Sequence, residues 1–97
     1  MFFPLILAAT VPPPIQAETK AHFEMELFDA ESARWKFEDY RGDFLVCGYV
    51  NAKNRMGAYV GFQPFYFNAK DGTGRIYAPG EDAWLFRTLC FGDPPSD

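Results

Sequence analysis

Histidine is nearly absent from this chain, with His22 alone among 97 residues. A nucleophilic cysteine or serine needs a positioned base beside it, so any such site would have to route through that one side chain. A Ser–His–Asp set would further depend on Ser32 or on Ser96 near the C-terminus. No catalytic residue is assigned, and no enzymatic role is expected. Metal spacing is missing as well. Cys47, Cys90 and a single histidine match no zinc pattern. The stretch "DGTG" at 71–74 lacks the alternating oxygens of a calcium loop. It precedes a short strand pattern rather than opening a helix, so it is no phosphate loop. No metal or cofactor is expected. Runs of positive charge are absent too: the nine Lys and Arg are scattered singly and the formal net charge is −4. That pattern argues against nucleic acid as a partner. No apolar run reaches the roughly 20 residues of a membrane-crossing helix.

Charge is also absent from the first 17 residues, "MFFPLILAATVPPPIQA", while all 13 acids and all 9 basic residues lie downstream. An apolar run, then prolines, then small Ala17 reads as a short export signal. The expected organisation is a leader at 1–17, one small α+β domain at 18–92 and a disordered tail at 93–97. Periplasmic or secreted localisation follows. A domain this short gains from a covalent staple. Two cysteines in an exported chain are most simply a disulfide, Cys47 to Cys90. Closing a loop of that size is worth about 4 kcal/mol in the chain-entropy treatment.

Along the chain, good helix formers at 18–28 predict a helix whose apolar face carries Ala21, Met25 and Phe28. "DAES" at 29–32 makes a corner, and "ARWKFEDY" alternates Trp35 and Phe37 against Lys36 and Glu38 as a half-buried strand. "RGD" at 41–43 is a hairpin turn, an adequate account of a tripeptide that some adhesive proteins present to integrins. "FLVCGYV" is apolar on both faces, as a central strand is. Strand pattern resumes at 58–67, with Pro64 marking an edge or bulge. Asp71-Gly72 turns the chain into a short strand at 75–78. A closing helix follows, with Glu81 and Asp82 at its start and Trp84, Leu85, Thr88 and Leu89 on one face. The predicted architecture is α+β: an N-terminal helix, three or four antiparallel strands, and a C-terminal helix pinned across the sheet by the bridge.

Between the two central strands lies "NAKNRMGAYVGF", at 51–62. Asn51 and Asn54 are turn formers, and Gly57 and Gly61 relieve crowding. Alongside that structural role, Asn51, Lys53, Asn54, Arg55 and Tyr59 make a candidate binding loop, offering donors, acceptors and an aromatic face on a rigid scaffold. With its flanks, this region resembles a group of short exported bacterial proteins. They share a D-x-x-S-A corner followed by VCG-x-VN-x-KN-x-x-G-x-Y-x-GF. The matching residues here are Asp29, Ser32 and Ala33, then Val46, Cys47, Gly48, Val50, Asn51, Lys53, Asn54, Gly57, Tyr59, Gly61 and Phe62. Ala30 stands where a proline often follows the aspartate. The resemblance implies export and a shared fold and supplies no mechanism.

The sequence therefore predicts a non-catalytic exported module with a protein partner in the cell envelope and no integral membrane segment once processed. Small size, acidity and one disulfide would also suit a periplasmic inhibitor of a basic hydrolase such as lysozyme.

Overall fold

A helix that opens on consecutive prolines is the first element described. The computed structural model describes residues 10–91. Most of the expected leader, and the expected tail at 93–97, lie outside that range. Helix α1 spans Pro13–Phe23, five residues ahead of the predicted 18–28. The shift has a local cause. Proline at the first helical positions has the right φ and lacks only an N–H that would be orphaned anyway. The Pro12 carbonyl accepts from the N–H groups of Ile15 and Gln16, both at 2.9 Å. The buried stripe recurs every four residues through Val11, Ile15, Thr19, Phe23 and Leu27, all but Thr19 within the apolar core. Polar Thr19 interrupts that stripe in sequence, yet it is fully buried because its hydroxyl donates to the Ile15 carbonyl at 2.8 Å. Met25, placed on the apolar face by the predicted helix, is 95% exposed. The Ala17–Glu18 boundary, where the leader was expected to end, falls inside α1.

A 3₁₀ turn at Ala30–Ser32 leads into β1 (Arg34–Arg41), β2 (Leu45–Asn51), β3 (Gln63–Asn68) and β4 (Thr73–Ile76). They form one antiparallel sheet in the order β1-β2-β3-β4. The second sheet partner starts at Gln63 rather than 58, because 52–62 folds back on itself. Helix α2 (Trp84–Phe91) closes the described chain.

Strand β2 is buried on both sides, and the two sides feed two separate cores. Val46 and Val50 pack with Phe65, Phe67 and Phe23 of α1. Leu45 and Cys47 pack with Tyr77 and with Phe86 and Cys90 of α2. The result is a helix–sheet–helix stack. Gly48 makes the first side possible: a Cβ there would collide with the Lys36 carbonyl and press the Phe65 ring at 3.0 Å.

A bulge in β1 resolves a second difference. Phe37 pairs with Gly48 but Asp39 pairs with Cys47, so Glu38 is the extra residue. The alternation flips there. Trp35 and Phe37 join the α1 core, while Asp39 turns with Arg41 toward α2. Arg41 donates to the Cys90 carbonyl at 2.6 Å, satisfying a C-terminal helix acceptor. The "RGD" arginine is thus engaged internally, and Gly42 and Asp43 carry the left-handed φ of the turn.

The C-terminal helix presents a different face from the predicted one. Phe86 and Cys90 are buried, and Trp84 is 52% exposed. The covalent bond sets this rotation: Cys90 must face Cys47, and the residue four earlier comes with it. Cys47 and Cys90 are bridged, with Cα atoms 5.8 Å apart.

Tyr77 is buried against this helix, and its hydroxyl makes no hydrogen bond of good geometry, only a weak approach to the Phe86 backbone. Burial, reinforced by neighbouring Tyr66, pushes its ionisation above the usual tyrosine range. The raised value means the neutral form is favoured by folding. The associated stability is present below pH 10 and is lost as pH rises through the folded-state value. Tyr77→Phe removes a poorly paired buried hydroxyl and is expected to stabilise the fold by about 1 kcal/mol. Urea unfolding at pH 7 and pH 10.5 checks it. The gain should persist or grow at the higher pH, and a destabilised variant would show that the hydroxyl has a partner.

Candidate functional site

Two asparagines build the loop between β2 and β3. The Asn54 side-chain oxygen accepts from the N–H groups of Met56 at 2.9 Å and Ala58 at 3.1 Å. Its own backbone N–H donates to the Ala58 carbonyl at 2.8 Å. The Asn51 side-chain oxygen accepts from the Gly61 N–H at 2.9 Å. Lys53 and Tyr59 form an isolated antiparallel bridge across the loop. Gly57 and Gly61 adopt φ of 84° and 103°, where a side chain would be strained. Both asparagine oxygens are therefore spent on the loop's own backbone. In the candidate set Asn51 and Asn54 shape the loop, Arg55 is exposed and Lys53 is half-buried.

Tyr59 joins the two halves of the sequence motif. Its hydroxyl donates to the Ser32 carbonyl at 2.9 Å, tying 51–62 to the D-x-x-S-A corner. Ser32 in turn donates its hydroxyl to the Asp29 carbonyl at 3.0 Å. Tyr59 is half-buried rather than free, so its truncation costs structure as well as surface.

Tertiary structure then assembles what the sequence scatters. Arg34 lies over the Tyr59 ring at 4.0 Å, and Lys53 lies over the same ring at 5.5 Å. Lys36 lies over Phe62 at 4.4 Å, and Arg55 over Phe28 at 5.7 Å. Such contacts are worth about 0.5–1 kcal/mol each at exposed sites. They hold four of the nine cations in and beside the 51–62 loop, Arg34 and Lys53 sharing one ring. None of the four makes an ion pair among the described residues; Lys20 and Lys70, away from the loop, are likewise unpaired and lie over Phe37 and Phe44, whereas Arg41, Arg75 and Arg87 are each paired with a carboxylate. Arg34, Lys36, Phe28 and Phe62 were not candidates from sequence. The i, i+2 spacing of Arg34 and Lys36 on one strand face was the available signal.

The fold does not bring Cys47 and His22 together. Cys47 is bridged and buried, so it presents no thiol. His22 is exposed and rests on Phe67, with ring centroids 4.9 Å apart, in the α1 core. Cys47 belongs to the α2 core on the other side of the sheet. Among the described residues no group of three or more His, Cys, Asp and Glu is placed to hold a metal ion. No helix among them is long and apolar enough to cross a membrane. An open cavity of about 310 Å³ lies between α1 and the corner, lined by Ala17, Lys20, Ala21, Glu24, Glu31 and Trp35. A smaller one of about 170 Å³ adjoins the disulfide, beside Asp39, Tyr49 and Phe86. Comparison of the chain with protein-family models, curated proteins and solved structures returned no match.

Proposed function

We propose that this protein is a non-catalytic exported module whose binding surface is the 51–62 loop with the adjoining stretch of β1. The observation that carries the binding reading is the four unpaired cations held over aromatic rings in and beside one loop of an acidic chain. A cation without a carboxylate partner keeps its charge available, and a ring beneath it fixes its position before binding. Export is supported by a disulfide suited to an oxidising compartment.

Washed bacterial envelopes test the reading. Full-length protein fused at its C-terminus to a phosphatase active only outside the cytoplasm should show phosphatase activity. It should also be retained on envelopes and released by salt. A variant with Arg34→Ser, Lys53→Ser and Arg55→Ser gives up three cation–ring contacts, so it should melt a few degrees lower, stay folded at the assay temperature and lose retention. Equal retention would remove the loop from the function, and an inactive phosphatase would remove export. The inhibitor reading uses the acidic remainder of the surface instead. Stoichiometric inhibition of a purified basic lysozyme that survives all three substitutions would favour it.

A further inference from the structure

The cations on this surface do not stand alone. Met56 at the loop tip is 90% exposed, and Phe28, Val60 and Phe62 are between 42% and 46% exposed. Phe28 and Phe62 are the rings beneath Arg55 and Lys36, so exposed apolar and cationic side chains lie against each other around the loop. We propose that this face seats the protein on an anionic lipid bilayer. The inference rests on the reading of 51–62 as a binding surface and names its partner.

A bilayer interface rewards this combination. Apolar side chains enter the boundary between headgroups and acyl chains while Lys and Arg remain at the level of the phosphates. Met56 has no packing that fixes its position, and an unbranched, pliable side chain suits a fluid partner better than a shaped protein pocket. The loop beneath it is rigid, stapled by Asn51, Asn54 and the Tyr59–Ser32 bond. Tip and cations are therefore presented together without an ordering cost. Net charge supplies orientation. The chain carries −4 overall, so an anionic membrane repels every approach except through the cationic face. Asp29 and Glu31 sit on the corner joined to Tyr59, and they limit how far the contact extends on that side.

Co-sedimentation of the full chain with vesicles provides the test. Vesicles of phosphatidylglycerol and phosphatidylcholine should bind the protein, vesicles of phosphatidylcholine alone should not, and added salt should release it. Each cation removed near the surface should weaken partitioning on the order of fivefold, so Lys53→Ser with Arg55→Ser should cost at least tenfold. Met56→Ser should also weaken binding while leaving its salt dependence unchanged; it should melt with the parent, and the double variant, short of two cation–ring contacts, should melt slightly lower but remain folded in the assay. Equal binding to neutral vesicles, or indifference to the substitutions, would overturn the proposal. Release by soluble glycerol phosphate at matched ionic strength would overturn it in favour of a headgroup pocket. Binding to polyglutamate or to a DNA oligonucleotide but not to vesicles would overturn it while leaving the loop as the binding surface. Binding to none of these probes would overturn both.

Discussion

A chain beginning at Glu18 is expected to unfold at much lower urea than one beginning at Thr10. The shorter chain lacks Val11, which is 1% exposed, and Ile15, which packs against the same core. Burying a valine is worth about 1.5–3 kcal/mol. With part of Ile15 and the first helical turn also lost, the deficit reaches roughly 3–5 kcal/mol, comparable to the whole stability of a marginal domain. Thr19 would lose its acceptor as well, leaving a fully buried hydroxyl to find another. Urea midpoints of the two chains check this. Equal midpoints would show that 10–17 contribute nothing to the folded domain. The companion measurement is mass spectrometry of protein from the cell envelope. An N-terminus at or before Thr10 is expected, because a cut after Ala17 passes through the middle of α1.

Removing the disulfide is the second large perturbation. Cys47 and Cys90 are 2% and 4% exposed and lie in one core with Tyr77 and Phe86. The bridge closes a long loop and fixes the rotation of α2, whose last described turn is also held by Arg41. Cys90→Ser should cost about 2–5 kcal/mol, as for other small disulfide-bonded domains. Reduction of the parent should cost a similar amount, read as a drop in melting temperature with and without reductant. An unchanged melting temperature would show that packing alone holds α2. Two free thiols on denaturing protein from its native compartment would remove the bridge altogether and restore Cys47 as a candidate nucleophile.

The candidate site was half legible. The turn chemistry of Asn51, Asn54, Gly57 and Gly61 was written locally, because each bond they make closes within ten residues. The partnerships of Tyr59 with Ser32, and of Arg55 with Phe28, span 27 residues each, and no local pattern reports them. For the same reason nine scattered basic residues read as an absence of clustering, although the fold gathers four of them.

Sequence alone determined the α+β class, the antiparallel strands, the doubly buried β2 and the Cys47–Cys90 pairing. These follow from strand periodicity, turn residues and a count of two cysteines, all of which act locally or admit one solution. Tertiary structure decided where α1 begins, which face α2 buries and which way Asp39 and Arg41 turn. The stripe of α1 is apolar only if Thr19 is counted, and Thr19 can be buried only because the helix itself supplies its acceptor. The rotation of α2 was set by a covalent bond to a strand 43 residues away, and the flip in β1 by one extra residue whose bulge is fixed by pairing with β2. In each case the deciding interaction joins residues that only the fold brings together, so propensity and periodicity had no term for it.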